Sequence, residues 1–267
     1  MIKTITKALI IDTIGKLVEE EKESCQTSFG QPLVGFVAAN DPALRELKQV
    51  THSEHLMPED LLAGAETVIA YFLPFTKELV LGNRAGTATT EAWALAYKEA
   101  NSLLAAVGQR LLGSLEELGI KGAGVKPTHN FDEKTLLAGW SHRHLAYLAG
   151  LGQFGLNRML ITSKGCAGRY GSIVIDAKVE GLQQDSETRA KAGVNVGAEN
   201  AIHPCLYYQQ GSCLVCVKNC PSGALTKEGF DRHKCYSYML ADCEERFKHL
   251  GVSDVCGKCL ATPCAVR

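Results

Sequence analysis

Apolar and polar positions along this chain follow two periods. Over residues 2–24 apolar side chains recur at helical spacing and the run ends in Glu19-Glu-Glu-Lys-Glu23, which predicts an amphipathic helix. Residues 33–38 and 67–73 are compact apolar runs that read as buried strands, the second stopped by Pro74. Between them, Asn40-Asp41-Pro42 opens a short helix with proline in its first turn. Residues 90–118 carry no proline and end at Gly119, which predicts a long helix. A short strand at 123–126 and a helix over 132–149, closed by Gly150, come next. Residues 159–162 and 171–176 read as a pair of strands. Strands and helices in alternation predict a layered α/β or α+β domain over residues 1–200. Residues 180–200 turn polar and Gly/Ala-rich without a period and are expected to form a linker.

Composition narrows the class. Of 267 residues, 46% are hydrophobic and 21% charged, enough to bury a core and too apolar for wholesale disorder. Twenty-eight Lys and Arg against 29 Asp and Glu give a net charge of -1, so no basic excess argues for DNA or RNA binding. No apolar run is long enough to span a bilayer, and Met1-Ile-Lys-Thr-Ile-Thr-Lys7 has neither a signal-peptide core nor a twin-arginine signal. A cytoplasmic protein is expected.

The count that changes the picture is 11 Cys, nine of which lie between Cys205 and Cys264. In a reducing compartment such crowding points to metal rather than disulfides. Cys213-Leu-Val-Cys216-Val-Lys-Asn-Cys220-Pro221 reproduces the last three cysteines and the proline of the bacterial ferredoxin run, with Gln210 at the position of the first. In that run the cysteine before the proline ligates the other cluster. A second half is therefore expected, and Cys235, Cys256-Gly-Lys-Cys259 and Cys264 supply it. The crossed wiring assigns Cys213, Cys216 and Cys264 to one 4Fe–4S cluster and Cys220, Cys235, Cys256 and Cys259 to another. Cys205 is the preferred fourth ligand of the first, with Cys243 as the alternative. Zinc is the competing metal, but the two CxxC pairs lie further apart than in zinc ribbons. Cys25, Cys166 and Cys243 read as buried free thiols. Residues 201–267 are thus expected to form a two-cluster ferredoxin-like domain.

Upstream, Trp140-Ser-His-Arg-His144 leads into Ala149-Gly-Leu-Gly-Gln-Phe-Gly155-Leu-Asn157. The order, helix then glycines then strand, reverses a Rossmann fingerprint, and helix capping with tight packing is the plain reading. Arg158, Lys164 and Arg169 nearby suit either a cofactor phosphate or a solvated loop. Ala149-Gly-Leu-Gly152 with Gly155 and Asn157, followed by the ferredoxin tail, resembles epoxyqueuosine reductase and the corrinoid reductive dehalogenases. Met57-Pro-Glu-Asp-Leu-Leu-Ala-Gly-Ala-Glu-Thr-Val-Ile-Ala-Tyr71 resembles the same family's approach to an early core strand.

The resemblance implies a nitroreductase-like, corrinoid-binding domain followed by the two-cluster domain. It implies an oxidoreductase in which the clusters reduce cobalamin near Gly150, Gly152, Gly155 and Asn157, with a ferredoxin- or flavodoxin-type protein as electron donor. The family's acidic proton donor has no ungapped counterpart, since that position falls at Leu136. Its Asp-Tyr-His segment is replaced by Ala96-Tyr97-Lys-Glu-Ala-Asn101. Asp132, Tyr97 and His142 are the candidate catalytic groups. The chain ends three residues after Cys264, without the helical repeats some relatives use on transfer RNA, so an RNA substrate is not expected. Two other readings stand beside this one: an FMN-dependent reductase on the same fold, and a non-catalytic electron carrier or activator that reduces a partner's corrinoid.

Overall fold

The computed structural model describes residues 3–182 and 202–267; the expected linker lies almost wholly outside them. Among the described residues the order is β1 (Lys3–Ile5), α1 (Lys7–Lys22), β2 (Leu33–Ala38), α2 (Pro42–Val50), α3 (Pro58–Leu61), β3 (Thr67–Pro74), α4 (Lys77–Gly82) and α5 (Glu91–Glu117). There follow β4 (Gly122–Gly124), α6 (His142–Leu148), β5 (Gly152–Phe154), β6 (Leu160–Thr162), β7 (Gly168–Ile175) and β8 (Ala177–Val179). The tail carries α7 (Leu206–Gln210), α8 (Val215–Lys218) and α9 (Arg232–Cys243), with 3₁₀ turns at Lys248–Leu250 and Lys258–Leu260.

The central sheet has the order β2-β3-β7-β4 and is antiparallel throughout. All eight residues of β3 are buried, because both faces of the sheet are covered. Ile69, Tyr71 and Leu73 point to the layer holding α1 and α5, while Val68, Ala70 and Phe72 point to the α6 side. This three-layer burial is why β3 reads as an unbroken apolar run instead of an alternating one. The mixed α/β expectation is met. Local caps set the helix starts: Thr6 accepts from Leu9 N–H, and Asp41 accepts from Ala43 N–H with Pro42 at the first helical position.

Three expectations change. The segment before α1 forms β1, which pairs in parallel with β8, so the chain start is tied to a strand some 170 residues away. Strands β6 and β7 do not pair with each other; β6 pairs with β5, and β7 with β3 and β4. The helix expected over 132–149 shrinks to α6. Ahead of α6, Asp132 accepts from Lys134 N–H and Thr135 N–H, and Asn130 donates to the Lys126 and Trp140 carbonyls. These side-chain bonds offer the backbone an alternative to a helix, and His129 and Leu136 take positive φ. The outcome is an irregular loop rather than a helix.

The cysteine tail does not stand apart. Cys205, Cys216, Leu225, Cys243, Phe247, Val255 and Leu260 share one apolar cluster with Trp93, Ala94 and Tyr97 of α5. Polar ties reinforce it: Asn83 donates to Cys256 O (2.8 Å), Thr89 N–H to Asp242 (2.9 Å), and the buried Lys258 ammonium to Asn83 O and Ala85 O (2.9 and 2.8 Å). No helix among the described residues is long and apolar enough to cross a membrane.

Candidate functional site

Of the eight expected cysteines, four share one place in the structure. Cys205, Cys213, Cys216 and Cys264 line one small cavity of about 110 Å³, together with Asn157, Thr262 and Pro263. Cys205 reaches it as the N-cap of α7, Cys213 and Cys216 from the turn into α8, and Cys264 from the chain end. Cys243 is elsewhere: it is fully buried, and its thiol donates to Val255 O at 2.7 Å. Among the other four, burial pushes the Cys235 thiol up to about 11, and Cys256 and Cys220 add to the effect. Cys259 is raised by burial first and then by the negative charge that Cys256, Cys235, Cys220 and Cys216 would carry.

This donor set fits iron–sulfur chemistry. Buried thiols are poor anions by themselves, and Cys216 is likewise pushed up to about 11. For these raised thiols a metal's charge would replace the lost solvation, whereas hydrogen bonds, from Cys166 first of all, already hold Cys264 below the ordinary thiol range. Among the described residues no three His, Cys, Asp or Glu side chains converge tightly enough for a single metal ion. A four-iron cubane is larger than one ion, and its four ligands stand correspondingly further apart.

A second cavity, of about 790 Å³, opens between the 127–138 loop, α6 and β7. This is within the range of small-molecule sites, roughly 300–1,000 Å³. Its described lining includes Arg143, Arg158, Arg169 and Arg232, three histidines and no carboxylate. Arg143 donates to Arg158 O (2.7 Å), and Arg169 donates to Asn101 (2.9 Å) while lying over the Tyr97 ring at 4.6 Å. Guanidinium groups kept without carboxylate neighbours make this a place for an anion, phosphate above all. Of the expected basic trio, Arg158 and Arg169 line the cavity and Lys164 does not. Arg143, inside the Trp140–His144 segment, and Arg232, in the distant tail, join them only through the tertiary fold.

The expected catalytic groups are placed differently from one another. His142 lines the cavity but both ring nitrogens are committed: Nε2 donates to Lys126 O (2.9 Å) and Nδ1 accepts from Ser172 Oγ (2.7 Å). Ser172 in turn accepts from the Trp140 indole at 2.9 Å. Burial depresses His142 to about 4, and His144 likewise, so both rings are neutral at pH 7. His142 therefore holds α6 against β7 rather than offering a proton. Asp132 is exposed and spends its carboxylate on the Thr135 and Lys134 turn; the bonds from Thr135 hold its carboxyl below the ordinary range. It is poorly suited to donate a proton. Tyr97 does not line the cavity; it is buried behind Thr128 and Arg169, which do, with its hydroxyl 3.2 Å from Thr128 and donating to Asp254 (3.3 Å). Burial raises its phenol first of all, so the proton is retained at neutral pH.

The glycines have local reasons. Gly150 closes α6 with φ of 81°, and a side chain at Gly152 would overlap the Ile161 carbonyl of the paired strand β6. Gly155 lines the large cavity. Asn157 does not; its amide faces the cysteines instead, donating to Cys259 O at 3.3 Å.

No protein-family model matches the chain, and no curated protein matches it. Solved structures do, among them reductases that share the mixed α/β fold. Epoxyqueuosine reductase from Streptococcus thermophilus aligns at 20% identity over 93% of this chain and 65% of its own, with a TM-score of 0.53. An epoxyqueuosine reductase bound to a modified tRNA-Tyr stem loop aligns at 17% identity over 96% of this chain and 66% of its own, with a TM-score of 0.55. A reductive dehalogenase whose structure suggests a mechanism for B12-dependent dehalogenation aligns at 12% identity over 78% of this chain and 27% of its own, with a TM-score of 0.51. The chain thus has the fold of epoxyqueuosine reductases and reductive dehalogenases, and it spans just under two thirds of the former's length. At these identities the likeness is one of fold.

Proposed function

We propose that this chain is an iron–sulfur reductase with a nitroreductase-like cofactor domain (residues 1–200) and a ferredoxin-like two-cluster domain (201–267). Cys205, Cys213, Cys216 and Cys264 hold cluster one, and Cys220, Cys235, Cys256 and Cys259 hold cluster two. The observation that carries the reading is the grouping of Cys205 with Cys213, Cys216 and Cys264 around one cavity, away from Cys243. Such clusters supply electrons one at a time, and a corrinoid, or FMN in the alternative, supplies the reducible centre that meets the substrate. The chain's own part is to bind, orient and protonate. Arg143, Arg158, Arg169 and Arg232 receive the anionic tail that either cofactor carries. Tyr97, behind the wall that Thr128 and Arg169 form, is the proton source in this reading and would have to release its bond to Asp254 to give the proton up. The substrate is a small molecule rather than the modified tRNA of the neighbour's complex, on the balance of 28 basic and 29 acidic residues. A ferredoxin- or flavodoxin-type protein is the electron donor, and the cytoplasm the compartment.

The test is anoxic purification with cobalamin supplied, followed by iron, sulfide, cobalt and zinc analysis. About eight irons with matching sulfide and stoichiometric cobalt is the expected result. Zinc without sulfide overturns it. Tyr97→Phe should keep both clusters and the cofactor while losing turnover; normal consumption of reductant by that variant removes Tyr97 from the proton-donating role.

One observation favours a second reading, an electron carrier or an activator of a partner's corrinoid. Both His142 nitrogens and the Asp132 carboxylate are already committed, which leaves the cavity short of proton donors. Full clusters with neither cobalt nor flavin would select it.

A further inference from the structure

Cys166 lies outside the eight cysteines assigned to clusters, yet it is fully buried against one of them. Residues 165–167 run beside the chain end: Cys166 N–H donates to Cys264 O (3.0 Å) and Ala167 N–H to Ala265 O (2.9 Å). Gly165, at φ of 92°, allows this approach, since a side chain there would overlap the Ala265 carbonyl. The pairing sets Cys166 Sγ 3.9 Å from Cys264 Sγ, and the Thr262 hydroxyl lies 3.1 Å from the same Cys264 sulfur.

The direction of the sulfur contact follows from chemistry. A sulfur bound to iron carries no proton, so Cys166 must be the donor and Cys264 the acceptor. A further side chain orients the donor. Asn157 Oδ1 accepts from Met159 N–H (3.2 Å), which fixes which end of the amide is nitrogen. Its Nδ2 then donates to Cys166 Sγ (3.5 Å) and to Cys259 O (3.3 Å). The Cys166 sulfur thus receives one hydrogen bond from Asn157 and passes its own proton toward Cys264. A merely space-filling thiol would not need a buried amide aimed at it.

We propose that Cys166 is a positioning residue that donates an S–H hydrogen bond to the Cys264 ligand of cluster one and raises that cluster's reduction potential, with Asn157 holding it in place. The physical reason is that a donor at a ligand sulfur draws negative charge away from the cluster. The reduced cluster, which holds one electron more, gains most from this. Among the described residues the Cys166 thiol shares a hydrogen bond with Cys264 and none with a cluster-two sulfur, so the effect is expected at cluster one. The proposal rests on the iron–sulfur reading above.

The test compares Cys166→Val, similar in size and without a donor, with Cys166→Ser, which keeps one. Each is purified without oxygen beside the wild type, analysed for iron, and titrated potentiometrically with spectra of the reduced clusters recorded by electron paramagnetic resonance. All three proteins are expected to hold the same iron. Cys166→Val should shift the cluster-one midpoint to lower potential and leave cluster two in place, while Cys166→Ser should restore the wild-type midpoint or exceed it. Equal midpoints in all three proteins, or the same shift in both variants, would reduce Cys166 to packing and overturn the proposal. Loss of half the iron in Cys166→Val would make Cys166 a ligand, which overturns it as well. A wild-type protein without iron and sulfide would bring down the functional reading itself, an outcome distinct from the other two.

Discussion

Cys205→Ala should remove about half of the iron, leaving roughly four irons per chain, whereas Cys243→Ala should keep roughly eight. Both residues sit in the cysteine-rich tail, and spacing alone leaves either free to complete cluster one. The difference lies in what each sulfur faces. Cys205 lines the cavity shared by Cys213, Cys216 and Cys264, at the N-cap of α7 where the chain turns back over them. Its backbone N–H is held by His203 Nδ1 at 3.0 Å, so the cap is locked in place. Cys243 is sealed at the end of α9 with its proton on Val255 O. Removing it costs some packing, of the order of 1 kcal/mol for so small a side chain, and no metal ligand. Iron and sulfide analysis of the two purified variants decides the matter. Equal iron in both would transfer the assignment away from Cys205.

Gly257→Ala is the second large effect. Gly257 lies between Cys256 and Cys259, proposed ligands of cluster two, at φ of 71°, and a Cβ there would run into the indole of Trp93. That indole is buried in α5 and packs edge-on against Phe75 at 5.2 Å, so it has little room to retreat. The cost combines left-handed backbone strain with overpacking, about 2–4 kcal/mol together. Because the same loop carries Cys256 and Cys259 and is tied down by Lys258, cluster two should loosen with it. Gly251→Ala is the control. Its φ of 67° is nearly the same, but nothing lies within 4 Å of the added carbon. Denaturation midpoints of the two iron-loaded variants separate the terms. Gly251→Ala should show only the backbone part, and equal losses would mean that Trp93 yields without cost.

Much of the fold is legible in the chain's pattern. The all-apolar β3, the proline-free α5 and the Asp41-Pro42 start of α2 can each be read locally, because each signal is confined to one element. The misreadings concern long-range partners. β1 is three residues long and becomes a strand only because β8 returns beside it. The stretch before α6 has helical apolar spacing, but Asn130 and Asp132 turn the backbone with their own side chains. That loop is also what walls the large cavity.

The candidate site divides along the same line. Spacing in the tail leads only to the expectation of two interleaved cysteine sets, since a cluster draws its ligands from closely placed residues plus a distant return. Tertiary structure alone decided the rest. It separated Cys205 from Cys243, turned Asn157 toward sulfur instead of the large cavity, and gathered Arg143, Arg158, Arg169 and Arg232 from three stretches of chain around one space. It also set Cys166 against Cys264 across 98 residues. Ligand spacing is a local property of the chain, whereas burial, hydrogen-bond commitment and the pooling of charge depend on which distant segments the core brings together.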